Sequence, residues 1–462
     1  MGVGVSCWAL ANTVSRLGQL GVVSGTALDL VLARRLQMGD PNGDIKRAFS
    51  HFPFKDVAMR VWDHYFVPGG KAPEKPFKPI PMASMNPPRA LTELMVLANF
   101  TEVFLAKEGH NGVVGINFLE KIQMPNLASI FGAMLAGVDY VLMGAGIPRA
   151  IPGILDDLSV GKPVKLRLDV EQALPGEEFA CSFDPETFFK GLSPLLKRPQ
   201  FLAIISSAVL ALSLAKKSSG KIDGFIVEGA TAGGHNAPPR GQMQLSELGE
   251  PVYGERDTPD LVKIKAIGLP FWLAGSFGQA GKVPEALRHG AAGVQVGTAF
   301  AFCKESAIDP KFKHQVIEKS RTRSVSVYTD PLASPTGFPF KVIQVENTIS
   351  DPKIYAQRPR ICDLGYLRHP YRKDDGTLGY RCPSEPIKDF LRKGGALEET
   401  VGRKCICNGL MSTVELGQNQ ASGYHEQPIM TAGDDVTNVA QFLKPGCDSY
   451  SAADVIEFLL KA

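Results

Sequence analysis

The chain has 462 residues, 44% of them hydrophobic, and a formal net charge of +3. That length is too great for one small core and suits a single large barrel with insertions, or two to three domains of roughly 150 residues each. A near-neutral balance with 21% charged residues leaves no electrostatic footprint for nucleic acid.

Met1-Gly2-Val3-Gly4 has neither the basic nor the apolar region of a secretory signal. The most apolar stretch, 201–215, is shorter than the roughly 20 residues that cross a bilayer. A cytoplasmic protein, not bound to membrane, with its eight cysteines reduced is therefore expected.

Seven short apolar runs end in glycine or another small residue and read as buried parallel strands. In chain order they are 20–25, 112–119, 140–146, 201–206, 224–229, 270–276 and 293–298. Helices are predicted at 27–36 after the first and 207–217 after the fourth. This alternation implies a parallel sheet with right-handed crossovers. The predicted fold class is α/β: a TIM-type (β/α)8 barrel over 1–302, with a long insertion at about 26–111 and a mostly helical C-terminal cap over 303–462. A doubly wound open sheet also holds seven strands. The small residues at strand after strand's carboxyl end favour the barrel.

The insertion contains a proline-rich linker at 68–88 and a predicted helix at 90–107. Charges at Lys165, Arg167 and Asp169 mark 164–173 as an extra strand within an insertion, and a last helix is predicted at 452–461. Eight strands close a barrel of this type. With seven placed, either further residues are expected ahead of Met1, supplying a strand, or 164–170 fills the gap.

Two local signals carry chemistry. The run 224–229 delivers Gly233-Gly234-His235 just past a strand's carboxyl end, where barrel active sites lie. Paired glycines admit a planar ring or phosphate close to backbone amides, and a histidine there can move a proton near neutral pH. Two successive late strands then end in Gly275-Ser276 and Gly297-Thr298. Glycine plus hydroxyl at adjacent strand ends suits a barrel phosphate site, with amides at the following helix N-terminus.

Other patterns do not hold. Gly144-Ala-Gly-Ile-Pro-Arg149 places Arg149 where a dinucleotide fingerprint needs its third glycine. Cys405-Ile-Cys407 with Cys362 and Cys382 offers four thiols, but the one-residue gap departs from the usual metal knuckle. Buried thiols without metal are expected.

The order of Gly233-Gly234-His235, Ala274-Gly-Ser-Phe-Gly278, Val294-Gln-Val-Gly-Thr-Ala-Phe300 and Glu305-Ser306 resembles the nitronate monooxygenase (2-nitropropane dioxygenase) family, over about 1–306. Further pieces look closer to the flavin enoyl reductase subunits of polyunsaturated fatty acid and polyketide synthases: Met1–Ser6, Gly21–Thr26, Ser334–Lys341 and Thr431–Asp435. The resemblance implies a flavin mononucleotide (FMN) oxidoreductase. By position it puts Met1, Gly2, Asn117, Gly233 and Gly234 beside the flavin ring, and Gly275, Ser276, Gln295, Gly297 and Thr298 at the ribityl phosphate. It makes His235 the catalytic acid or base. One departure is Asn236-Ala-Pro-Pro-Arg-Gly241, which replaces the single residue and glycine that usually follow the histidine.

The implied activity is oxidation of a small alkyl nitronate with dioxygen. The alternative is reduction of an enoyl thioester on an acyl carrier protein, with NAD(P)H as co-substrate. The basic stretch Arg358, Arg360, Arg368, Arg372 and Lys373 would then meet an acidic carrier.

Overall fold

The computed structural model describes residues 2–191 and 194–461. All seven predicted strands form, within a few residues of the expected ends: β1 (Gly21–Ser24), β2 (Val114–Leu119), β3 (Tyr140–Gly144), β4 (Gln200–Ile205), β5 (Gly224–Glu228), β6 (Phe271–Ala274) and β7 (Gly293–Gln295). They make one sheet in which every strand pairs in parallel with its predecessor. A doubly wound sheet reverses strand order at a switch point. Here the order never reverses, so successive right-handed crossovers wind the same way and leave the helices on one face.

Side-chain alternation divides each strand between two cores. Val23, Val141, Met143, Phe201, Ala203, Phe225, Val227, Phe271 and Leu273 join the large core beneath the helices. Leu142, Leu202, Ile226 and Ala274 form a separate inner cluster, with Val22, Tyr140, Ile204 and Trp272 packed against it. That inner cluster is the filling of a barrel-like sheet. Above it, at the carboxyl ends, the same inward alternation presents Ser24, Asn117, Glu228 and Gln295. The apolar run thus turns polar where a site can form.

The segment 164–170 does not complete the sheet. Val164–Arg167 pairs antiparallel with Ala180–Phe183 in a separate two-stranded sheet, its exposed Lys165 and Arg167 alternating with buried Val164 and Leu166. Residues 2–6 instead lie against β1 and the loop at Ala307. Ser24 N–H donates to Ser6 O at 2.9 Å, Ser6 Oγ donates to Val22 O at 2.5 Å, and Ala307 N–H donates to Val5 O at 3.0 Å.

The insertion after β1 is helical, with Leu28–Gln37, Asp44–His51, Lys55–Tyr65 and the long Arg89–Lys107. The C-terminal region holds more helix than strand, Pro310–Arg321 and Ala452–Lys461 being its longest helices. It carries two antiparallel pairs, Val327–Asp330 with Phe340–Ile343 and His369–Arg372 with Leu378–Arg381, between short helices. Its prolines and glycines break the chain into pieces too short for long helices. Among the described residues, no helix is long and apolar enough to cross a membrane.

Candidate active site

Two adjoining cavities, of about 1000 and 920 Å³, open at the carboxyl ends of the strands and share Gly2, Glu228, Gly233, Gly234 and Thr431 in their walls. The first is also lined by Gly275, Ser276, Gln295, Gly297 and Thr298. Asn117 and His235 line the second. Every described residue proposed from the sequence to hold flavin or move a proton therefore lines one of these two adjoining cavities. Met1 lies outside the described residues.

After β5 the chain turns at Gly229, whose carbonyl accepts from Ala232 N–H at 3.2 Å. It then runs through Gly233 and Gly234, the latter at φ +85°. A Cβ on Gly233 would stand 2.6 Å from the backbone carbon of Ala432 and 2.7 Å from Gly433 N. The glycine there admits the C-terminal segment. Thr431 Oγ1 accepts from Gly234 N–H at 2.7 Å, and Asp434 N–H donates to Thr231 O at 3.1 Å. The segment 431–435, far away in sequence, is thus part of the wall.

Gly275 and Ser276 follow β6 with φ of +96° and +57°. A positive φ at serine is uncommon and is held only when the surroundings impose it. Gly297 and Thr298 follow β7, and Thr298 Oγ1 accepts from Gly433 N–H at 2.9 Å. The expected helix-terminus anion site is reduced here. The helix after Gly297 spans only Thr298–Ala301, and the one after Ser276 begins at Lys282. The donors available to a phosphate are loop amides, the Ser276 and Thr298 hydroxyls and the Gln295 amide. None of the residues lining this cavity is lysine or arginine, and Asp435 is among them. Burial pushes the Asp435 carboxyl up, and its Oδ1 is buried without a partner. A Cβ on Gly234 or Gly297 would meet nothing within 4 Å. Open space beside glycine, hydroxyl and amide groups fits a flat ring carrying one phosphate.

His235 is held from two sides. Its backbone bridges Phe340 antiparallel, with Asn236 N–H donating to Pro339 O at 2.9 Å and Lys341 N–H to Gly234 O at 2.9 Å. The ring lies edge-on to Phe340 at 4.8 Å, and its Nε2 is 2.7 Å from Ser334 Oγ. Burial, reinforced by the Lys121 ammonium, holds the imidazole well below its usual range, so it is neutral at pH 7.

A third opening on the far side of His235 is lined by Lys121, Glu228, Arg240 and Tyr253. Burial pushes the Glu228 carboxyl up to about 7 and the Lys121 ammonium down to about 7. Glu228 and Lys121 were not singled out from the sequence, and Ser334 and Asp435 stood there only within resembling segments, with no role. For Glu228 a signal existed: it is the one charge ending the apolar strand Gly-Phe-Ile-Val-Glu.

The arginines of the basic stretch in the C-terminal region are engaged within the chain. Arg358 makes a fully buried bidentate pair with Glu426, at 2.7 and 2.6 Å. Arg360 donates to the carbonyls of Pro383 and Glu385, Arg368 to that of Ala83, and Arg372 pairs with Glu177. These guanidiniums tie loops together by satisfying carbonyls and carboxylates that burial would otherwise leave unpaired.

Cys362, Cys382, Cys405 and Cys407, from three segments, line one small cavity of about 280 Å³. Among the described residues, no group of three or more His, Cys, Asp or Glu side chains is arranged to hold a metal ion. Burial pushes the Cys405 thiol up to about 11.

Parts of the chain are similar to known proteins. The family model described as "Nitronate monooxygenase" matches residues 195–329. A nitronate monooxygenase of Paraburkholderia phytofirmans is 25% identical over 181 residues, covering 39% of this chain and 47% of the relative. A (3aS,4S,5R,7aS)-5-hydroxy-7a-methyl-1-oxo-octahydro-1H-indene-4-carboxyl-CoA dehydrogenase of Rhodococcus jostii is 27% identical over 146 residues, covering 31% of this chain and 35% of the relative. The chain thus spans less than half the length of these curated relatives. The solved structure of FabK from Thermotoga maritima superposes over 99% of this chain and 89% of its own, with a TM-score of 0.45 and 15% identity. The segment that resembles the nitronate monooxygenase family, 195–329, is the one that carries β4 to β7, His235 and both glycine–hydroxyl strand ends.

Proposed function

We propose that the chain is an FMN-dependent oxidoreductase that oxidises small alkyl nitronates with dioxygen. The observation that carries this reading is a pair of adjoining cavities at the sheet's carboxyl edge, one lined by the glycine–hydroxyl strand ends, the other by His235, and both by Gly233 and Gly234. Ser276, Gln295, Gly297 and Thr298 would hold the phosphate of FMN, while Gly2, Asn117, Gly233 and Gly234 would flank its ring. When bound, FMN supplies the electron transfer between substrate and dioxygen. The protein's own contribution is position and proton control. His235, neutral and fixed between Phe340 and Ser334, takes the α-proton of a neutral nitroalkane or orients the nitronate already formed.

A second reading is supported by the third opening. Lys121, Arg240 and Tyr253 line room beyond His235 that a small nitronate does not need. There the substrate would be an enoyl thioester on an acyl carrier protein, with NAD(P)H as reductant and His235 donating the proton. Anaerobic mixing of the FMN-loaded protein with NADPH, and separately with a nitronate, distinguishes the two. Bleaching of the yellow chromophore by nitronate alone is expected. Rapid bleaching by NADPH would transfer the assignment to the reductase. A protein that neither releases FMN on denaturation nor can be reconstituted with it would overturn both.

A further inference from the structure

The hydrogen bonds of His235 do not stop at Ser334. Ser334 Oγ is 2.8 Å from Thr336 Oγ1, and Lys121 Nζ reaches Thr336 Oγ1 at 3.5 Å. Ser334 is fully buried. It is anchored by Arg403 Nη1 donating to its carbonyl at 2.7 Å, and its hydroxyl also accepts from Thr336 N–H at 3.2 Å. Lys121 sits on the Phe338 ring at 3.8 Å and lines the third opening, whose rim residues Ala237, Pro238 and Arg240 are exposed. An unbroken row therefore runs from the imidazole, through two hydroxyls, to an ammonium beside a solvent-reaching space. Among the described residues, the other ring nitrogen, Nδ1, has no hydrogen-bond partner.

We propose that Ser334 and Thr336 are a two-hydroxyl proton relay joining His235 Nε2 to Lys121, so that His235 exchanges protons with substrate without becoming charged. The proposal rests on the reading that His235 moves a proton. In the donating direction, Nδ1–H passes its proton to the substrate atom while Ser334 O–H gives its own to Nε2. Thr336 O–H resupplies Ser334, and the Lys121 ammonium resupplies Thr336. Each hydroxyl loses one proton and gains one, the ring changes tautomer, and the net transfer is one proton from Lys121 to substrate. Abstraction runs the same row in reverse, from the tautomer whose Nε2–H donates to Ser334.

Physical need supports the arrangement. A buried ring held neutral is a poor acid by itself, because giving up its only N–H would leave an imidazolate. A simultaneous proton at Nε2 removes that obstacle. An ammonium held near neutrality by burial gives up and recovers a proton readily at pH 7. Glu120, adjacent in the chain and bonded to Gln123, and Glu228 and Asp257, which line the opening with Arg240, are the nearby charged groups.

Positioning and relay separate at Thr336, which among the described residues bonds Ser334 and Lys121 but not the His235 ring. With FMN-loaded protein, turnover of a neutral nitroalkane and of its pre-formed nitronate is compared in Thr336→Val, Thr336→Ser, Lys121→Met and Ser334→Ala. Only the nitroalkane requires proton removal. The nitroalkane-to-nitronate ratio is expected to fall at least about tenfold in Thr336→Val and Lys121→Met, less than the roughly 10²–10⁴ of a whole general acid–base contribution, and to return in Thr336→Ser. A ratio in Thr336→Val within about twofold of wild type overturns the relay, even if Ser334→Ala is slow. Nitrogen-15 spectra of the His235 ring without flavin give a readout independent of turnover. Two exchanging tautomers in wild type, reduced to one in Thr336→Val, support the relay; identical spectra overturn it. Wild-type protein inactive with both substrates would sink the functional reading alone and leave the relay to the spectra.

Discussion

Gly233 and Gly297 face the same cavity, yet a methyl group at each should do opposite things. At Gly233 an added Cβ would lie 2.6 and 2.7 Å from backbone atoms of Ala432 and Gly433. Backbone cannot rotate away as a side-chain tip can, so the segment 431–435 must move. Overpacking of this kind costs about 1–3 kcal/mol. At Gly297 an added Cβ meets nothing within 4 Å, and φ is −112°, a conformation alanine accepts. Gly297→Ala should therefore leave the flavin-free protein as stable as wild type, or about 0.4–1 kcal/mol more so. Its methyl instead takes space proposed for the phosphate. A ligand at a hundred times its Kd stabilises by about 2.7 kcal/mol, and tenfold weaker binding at the same concentration leaves about 1.4. Urea unfolding with and without FMN reads both quantities. Gly233→Ala should lower the stability of the flavin-free protein; Gly297→Ala should spare it but lose about half or more of the FMN-induced gain. The reasoning fails if Gly297→Ala binds FMN as wild type does, or if its flavin-free form is as unstable as Gly233→Ala.

His235→Ala should retain FMN and lose roughly 10²–10⁴ in turnover, more with a neutral nitroalkane than with nitronate; equal near-wild-type rates with both would remove it from the mechanism. Because burial lowers the folded-state pKa of His235 below its unfolded value, its contribution is fully present above about pH 6.5 and is lost as pH falls toward the folded pKa, by at most about 1.4 kcal/mol per pH unit. Flavin-free wild type should therefore lose stability relative to His235→Gln, read as urea midpoints, as pH falls from about 6.5 toward 5, and parallel pH curves would contradict this. Glu426→Ala leaves the buried Arg358 guanidinium without its carboxylate and should destabilise by about 3–5 kcal/mol; a thermal scan indistinguishable from wild type would show the pair is not buried as described. Elemental analysis should find no stoichiometric zinc or iron, whereas metal lost in Cys405→Ser would make the four-cysteine cavity a metal centre.

The strands and the order of the chemistry-bearing turns were legible because their causes are local. An apolar run of five or six residues ending in glycine states both a buried strand and its end, which is why 224–229 and 293–298 were found with their following Gly-Gly-His and Gly-Thr. The helices 27–36, 90–107 and 452–461 were read for the same reason, and they form at Leu28–Gln37, Arg89–Lys107 and Ala452–Lys461. The extra strand at 164–173 was also visible, but not its partner, since pairing with Ala180–Phe183 depends on a neighbour rather than on its own pattern.

The C-terminal region reads differently. Its arginines form a basic run in sequence, but Glu426, Glu177 and several carbonyls absorb them in space. The site divides along the same line. By itself the sequence determined which residues stand at strand ends, because strand, turn and glycine are properties of short stretches. Only tertiary structure decided what surrounds them. Thr431 reaches Gly234 across 197 residues and Ser334 reaches His235 across 99. Contacts of that separation exist only once the cores on both faces of the sheet have packed and fixed the distance between segments that share no local pattern.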